Sequence, residues 1–478
     1  MENPFRFKLC IMLIFLVIAG GLSSGCKQWT HPANLTDNIS PDGQPAKNPQ
    51  MAINSTGIGL VVWEQSDGAN SLIYKAEFVN GAWTKTKLTD HISPEGGNAY
   101  YPRVAINDNG DAIIVWVQHD GANYRIYKSE RNNWIWTHPV GLDDSISPAG
   151  TDANYPRVAM NTSGDAVIVW EQSDGAFYQI FKSERTNGLW IHPGAASVNI
   201  SPDGQNAYYP VVSMDESGDA IVAWEQSDGA NWQIFKSERR YGMWVNPLSI
   251  GDNISPNFED AYYPQTAMND SGQAIITWEQ RDGFRYQIFM SVFSNGAWVH
   301  PAGLTDNISP DAGNAYYPQV ALNDSGNAVI TWEQELDSGI VRIYKSELRN
   351  KIWTHPGSIT DSISVADTSA WLPQVAIDNK GNSIIVWYQR DSKNEAAGKY
   401  QIFKSEFRAI SGLPAQLLNW SVPKSLTDNI SQDNQDAILP QVVMSSSGNA
   451  AISWEQSDGA NSQIFKSEYH DIPSVLGL

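Results

Sequence analysis

The chain has 478 residues, 41% of them hydrophobic, with 19 Trp, 19 Tyr and 14 Phe, which is enough to build a sizeable core and excludes a disordered chain. Lys and Arg number 31 against 52 Asp and Glu, a net charge of −21 that repels phosphate backbones and excludes nucleic acid as a partner. Of two cysteines, Cys10 and Cys26, the first lies in an N-terminal apolar run, so the processed chain forms no internal disulfide.

Residues 1–25 read as a secretory signal: Arg6 and Lys8, then "LCIMLIFLVIAGGL", then small residues. The apolar run is short for a membrane span, and nothing later approaches one. The segment ends "GLSSGC" at Cys26. This end resembles the bacterial lipoprotein signal, in which the cysteine after a small residue is lipidated and becomes the new N-terminus. Ser24 and Gly25 fit that pattern; Ser23 departs from it, since Leu22 stands one place early for the usual aliphatic residue. The resemblance implies lipidation at Cys26, an anchor segment over 26–28, attachment to a membrane through lipid alone, and export to the bacterial cell envelope. Lys27 suits the outer membrane. The alternative is an ordinary cleaved signal that leaves a free thiol.

From residue 29 one unit repeats. "WEQSDGA" starts at Trp63, Trp170, Trp224 and Trp454, with looser copies at Trp116, Trp278, Trp332 and Trp387. Successive steps are 53, 54, 54, 54, 54, 55 and 67 residues, a period of propeller blades rather than of helical solenoids. In the unit from Tyr209, "YPVVSMD" predicts a short strand a after a proline, and "DAIVAWEQ" an apolar strand b. "SDGAN" carries the Asp-Gly hairpin signal, "WQIFKSE" alternates as strand c, and "MWVNPLSI" reads as strand d. Four such strands cannot bury both faces of their sheet alone, so the units stack radially. The opening "WTHPANLTDNIS" (29–40) matches the d segment "WTHPGSITDSIS" (353–364), and the chain ends after the c segment "SQIFKSE" (462–468). The expectation is an all-β, eight-bladed β-propeller over residues 29–470, of about 54-residue four-stranded repeats. The N-terminal strand completes its last blade, and residues 471–478 form a tail. Unit seven carries two loop insertions, at 389–401 and 407–420.

With strand a innermost, the d–a loops and b–c hairpins share a top face. Tyr-Tyr-Pro steps recur there at Tyr100–Tyr101, Tyr208–Tyr209, Tyr262–Tyr263 and Tyr316–Tyr317, with Asn154–Tyr155 in unit three. Aromatic faces beside amides and carboxylates suit sugar rings. The competing reading is that tyrosines wedge adjacent blades; both hold if each pair divides the work. Candidate ligand contacts are Tyr101, Tyr155, Tyr209, Tyr263 and Tyr317, with the hairpin carboxylates Asp67, Asp174 and Asp228. Arg103 and Arg157 join them, because they follow the strand-a proline where other blades have Gln or Val, and arginine pairs bind carboxylates.

The repeated Glu of "WEQ" (64, 171, 225, 279, 333, 455) lacks the asymmetry that acid–base catalysis requires and reads as a structural hydrogen-bonding group. The Trp reads as core. The "W-x-H-P" histidines His31, His138, His192, His300 and His355 lie one per blade, too far apart to share a metal. No cofactor is expected; calcium stays open at loops such as "SPDAGN" (309–314).

The a–b hairpin "NDSGNAVITW" (323–332) is similar to the Asp-box turn of sialidase-like propellers, departing in spacing and in Ala where Thr is usual. The chain resembles a bacterial propeller lipoprotein, an architecture shared with the lipoprotein subunit of the outer-membrane barrel assembly machine. A sialidase would need three arginines and a Tyr–Glu nucleophile; a third arginine and the pair are missing. No Gly-x-Ser-x-Gly elbow, phosphate loop or dinucleotide fingerprint occurs. The sequence therefore reads as a monomeric, non-catalytic binding module, multivalent for glycans. The runner-up is a scaffold for envelope proteins, and a sialidase-like hydrolase comes third.

Overall fold

The computed structural model describes residues 27–394, 398–410, 413 and 418–471. The signal peptide, Cys26, parts of both insertions in unit seven and the tail beyond residue 471 lie outside the described residues.

Eight antiparallel sheets surround one axis. Blade 1 is formed by Ala46–Ile53 (a), Gly59–Ser66 (b), Ser71–Val79 (c) and Ala82–Trp83 (d), and the pattern recurs to blade 8, whose strand a is Ala437–Met444. Strands a of neighbouring blades touch around the axis, so a is innermost and d outermost. Strand b is sandwiched between two neighbouring blades. Both its faces are dry, and it reads as a continuous apolar run rather than an alternating one, as in Ala220–Ser227. Strand d is an edge, with only its central Trp half-buried, as in Leu189–Ile191.

The ring closes as the sequence predicts. Lys27–Thr30 pairs with the last strand c, placing Trp29 opposite Tyr469 and Thr30 opposite Glu468. The Ile39 N–H donates to the Ile464 carbonyl at 2.8 Å, the same bond that Ile200 makes to Ile180 one blade behind it. An outer belt ties the blades together. The d-strand indole donates to a strand-c glutamate of the preceding blade in Trp136–Glu77 (2.7 Å), Trp190–Glu130 (2.8 Å) and Trp298–Glu238 (2.7 Å). Trp83–Glu468 and Trp29–Glu406 continue that belt across the seam between chain ends.

Blade 7 departs from the four-strand pattern. Ala370–Ile377, Ser383–Arg390 and Tyr400–Phe407 form three strands, and strand d shrinks to one bridge between Glu406 and Ser421. In blades 1–6 c turns into d through two residues, such as Asn187–Gly188 at φ 51° and 79°, a turn that sets the pairing register. The 407–420 insertion replaces that turn. Trp420 still reaches Glu347, at 3.1 Å.

Candidate functional site

The repeated phrase first builds a rigid frame. In all eight blades the buried indole N–H donates to the Gln two residues on, at 2.9–3.3 Å. The same Gln donates its amide to the d–a loop, as Gln226 does to Pro202 at 2.6 Å and Gln205 at 3.2 Å. Its neighbour Glu reaches the next blade. Glu64, Glu171, Glu225 and Glu279 accept the backbone N–H of Tyr101, Tyr209, Tyr263 and Tyr317 at 2.8–2.9 Å. Glu333 does the same for Leu372 at 2.8 Å.

Those N–H groups belong to a strained residue. Every strand a is bulged before its proline, and Asn48, Tyr101, Tyr155, Tyr209, Tyr263, Tyr317, Leu372 and Leu439 all have φ between 49° and 55°. Left-handed backbone costs a non-glycine residue about 1–2 kcal/mol, and it persists where the surroundings hold it. Proline interrupts the ladder, and the glutamate of the preceding blade captures the freed N–H of Tyr101, Tyr209, Tyr263, Tyr317 and Leu372; before Tyr155 and Leu439 that position is Val117 or Tyr388.

The bulge turns one tyrosine of each pair toward its counterpart in the next blade. Ring centroids of Tyr101–Tyr155, Tyr155–Tyr209, Tyr209–Tyr263 and Tyr263–Tyr317 lie 5.2, 5.0, 5.6 and 5.2 Å apart. The result is a continuous arc over blades 2–6 around the mouth of the axis. Tyr101 (40%), Tyr263 (36%) and Tyr317 (39%) keep enough exposure to meet a ligand. The first tyrosine of the pair joins a second, outer row. Tyr178, Tyr208, Trp232, Tyr262, Tyr286 and Tyr316 follow one another at 5.2–6.4 Å. The pair does divide its work between a ring stacked among strand-c aromatics and a ring at the axis.

Tyr178, Trp232 and Tyr286 were not among the sequence candidates. Their signal is an aromatic residue opening strand c in consecutive units, just after the Asp-Gly turn. Each is fixed by its backbone N–H, donated to Asn206, Asp260 or Asn314 of the next d–a loop at 2.9–3.1 Å. These bonds place hairpins and d–a loops on one face, the top.

Asp67, Asp174 and Asp228 lie apart from the arc, at the hairpin tips. One carboxylate oxygen of each accepts two N–H groups of its own turn at 2.7–2.8 Å. Hydrogen bonding to its own turn also lowers the Asp67 pKa. Arg103 and Arg157 sit two residues past Tyr101 and Tyr155 on adjacent inner strands, both half-buried. Among the described residues no group of three or more His, Cys, Asp or Glu side chains is arranged to hold a metal. In the 309–314 loop the Asp311 carboxylate accepts the Asn307 amide at 3.1 Å. The repeated histidines stack on the d-strand Trp, as His138 does on Trp136 at 5.7 Å.

No family profile matches this chain. No curated protein matches it either. Solved structures resemble it at low identity. An ulvan lyase of polysaccharide lyase family PL25 is 11% identical with a TM-score of 0.48, over 77% of this chain and 94% of its own; that enzyme is also known bound to -[GlcA(1-4)Rha3S]-. The polysaccharide lyase Uly1 is 8% identical, TM-score 0.45, over 82% and 94%. A puromycin-hydrolysing peptidase from Mycobacterium tuberculosis is 11% identical, TM-score 0.42, over 90% and 60%. The neighbours thus include glycan-acting propellers and a peptidase, and at these scores they say nothing of what this chain binds.

The frame beneath the tyrosines is electrostatically unusual. Burial, offset in part by the N–H bonds from the next blade, raises Glu171 and Glu333 to about 7 and Glu225 and Glu279 to about 8. Burial also raises the phenols of Tyr101, Tyr209, Tyr263 and Tyr317, which stay neutral donors.

A pH dependence follows. Each such glutamate holds a proton in the fold that it loses on unfolding, between its ordinary 4.5 and its folded 7–8. The folded state therefore binds more protons, and stability falls as pH rises through that window. His31 and His138, lowered by burial to about 4 from 6.5, act oppositely between those values. Above pH 6.5 only the carboxylates remain of these two sets. Thermal melting should show a decline from pH 6.5 to 8.5, of order 1 kcal/mol per carboxylate. Glu225→Gln with Glu279→Gln should make it shallower, leaving the part due to Glu171 and Glu333, because Gln accepts the same N–H. An equally steep decline in that variant would contradict the assignment.

Proposed function

We propose that this chain is a glycan-binding module whose platform is the tyrosine arc at the mouth of its axis. One observation carries the reading: five tyrosines from five consecutive blades lie ring to ring at 5.0–5.6 Å, on strained backbone that each bulge maintains. The same bulge recurs at Asn48, Leu372 and Leu439, so the strain belongs to the repeat, and what blades 2–6 add to it is an aromatic ring at the mouth of the axis. Sugar C–H faces stack on exposed rings, and neutral phenols donate to hydroxyls. The frame holds the rings before any ligand arrives, which lowers the ordering cost of binding.

The proposal is binding without catalysis. The framing glutamates repeat, and each spends an oxygen on a backbone N–H of the next blade. Export and lipid anchoring through Cys26 belong to the same proposal and rest on residues 1–26. The test is a glycan array followed by titration of the best binder. Tyr209→Ala with Tyr263→Ala should weaken binding roughly tenfold per ring removed and leave the melting temperature within a few degrees. Unaltered affinity would overturn the platform.

A further inference from the structure

The tyrosine arc is not electrically uniform along its length. The strand-a position two residues past the bulge is Gln50, Val211, Gln265, Gln319, Gln374 or Gln441 in six blades, and arginine only in blades 2 and 3. Arg103 and Arg157 therefore stand side by side on touching inner strands, at one end of the arc. Each guanidinium bends back to the carbonyl of the proline before it, Arg103 to Pro102 at 2.9 Å and Arg157 to Pro156 at 3.2 Å. Arg157 lies near enough to Tyr155 for the phenol to act on its charge.

Among the described residues neither guanidinium forms an ion pair with a carboxylate, and each makes only that one hydrogen bond. None of their other nitrogens is both sealed from solvent and unbonded. A guanidinium has five N–H donors in a planar fork, and among the described residues each arginine uses one of them in a hydrogen bond. The two charges also repel: Arg103 is pushed well below its ordinary pKa by burial and then by Arg157, and burial brings Arg157 to about 10.

A plainer role would be to neutralise the glutamates of the frame, since Glu64 acts on Arg103 and Glu171 on Arg157. The rest of the ring argues against it. Glu225, Glu279 and Glu333 occupy the same position in blades whose matching strand-a residue is Val211, Gln265 or Gln319 rather than arginine. At the glutamate position blade 2 has Val117 and blade 7 has Tyr388, where the other six blades have Glu. Two adjacent cations, without an ion-pair partner among the described residues and two positions past stacking rings, match a planar anion attached to a sugar.

We propose that Arg103 and Arg157 form an anion subsite at one end of the platform, and that the ligand is an acidic glycan. Its carboxylate or sulfate ester lies across the two guanidiniums, and neighbouring sugar rings run over Tyr155, Tyr209 and Tyr263. The proposal rests on the glycan-binding reading above, which it deepens by naming the charge of the ligand.

The test uses the processed chain and three probes: hexagalacturonate, the same oligomer fully methyl-esterified, and a sulfated carrageenan hexamer. Calorimetric titration at low salt should give an affinity at least tenfold higher for one of the two anionic probes than for the ester, and the pair separates carboxylate from sulfate. Arg103→Gln with Arg157→Gln should erase that preference while holding affinity for the ester within about twofold. Equal affinity for all three probes overturns the acidic ligand and leaves glycan binding standing. A preference that survives the double substitution overturns the subsite. Absence of binding to all three overturns this proposal, while an array that still finds a neutral glycan keeps the platform. The wild-type comparison decides even where the double variant fails to fold.

Discussion

A chain beginning at Ala33 should be less stable than one beginning at Lys27 by about 5 kcal/mol. The shorter chain lacks the closing strand. It loses the pairing of Lys27–Thr30 with Glu468–Asp471, and the half-buried Trp29, which packs 5.4 Å from Tyr469 and donates to Glu406 at 2.6 Å. It also loses the His31–Ser467 contact at 2.7 Å. A buried Trp truncation costs about 3–5 kcal/mol, so a half-buried one contributes roughly 2–3. The strand and side-chain hydrogen bonds supply the remainder, at about 1 kcal/mol each. The last strand c would become an open edge, so the truncated ring should also associate at micromolar concentration. A peptide of residues 27–36 added in excess should raise its melting temperature in a concentration-dependent way, because it binds only the folded ring. Superimposable melting curves for the two chains would mean that the strand does not close the ring.

The second large effect lies inside the repeated phrase. Trp224→Ala should cost about 3–5 kcal/mol, since the indole is fully buried and stacked on Phe235 at 6.2 Å. Gln226→Leu keeps the volume yet should cost about 3 kcal/mol. It strands the buried Trp224 N–H and leaves the d–a loop carbonyls of Pro202 and Gln205 without their amide donor. The leucine result is the sharper of the two, because a Gln valued only for its bulk would tolerate that substitution. Urea unfolding measures both; a loss below 1 kcal/mol for Gln226→Leu would remove the glutamine from the frame.

The ring was legible because its code is redundant. Eight Trp at near-constant spacing, an Asp-Gly at most hairpins and matching d segments at the two ends leave one way to close the chain. Blade 7 shows the limit of that reading: Trp420 holds its place, but with the tight c–d turn gone only the Glu406–Ser421 bridge remains. The site was half legible. Tyr-Pro steps pointed to the tyrosines, yet alternation cannot say which way a ring points beyond a bulge, because a bulge resets the register. The outer aromatics Tyr178 and Trp232 were hidden in a segment that reads simply as strand c. The hairpin aspartates drew attention as free carboxylates, but in a tight turn the nearest donors are the turn's own N–H groups, and Asp228 takes two of them. The glutamates were readable as hydrogen-bonding groups; that their partner is the strained N–H of the next blade, 38 residues on, depends on packing between units, which no local pattern encodes.

A crystal structure of the processed chain with a bound oligosaccharide tests the central claim most directly. Sugar rings should lie over Tyr155, Tyr209 and Tyr263 at the mouth of the axis, within stacking distance, with the bulges unmoved. A saccharide held at the hairpin tips, on the outer d strands or on the opposite face, with the tyrosine arc left bare, would contradict it.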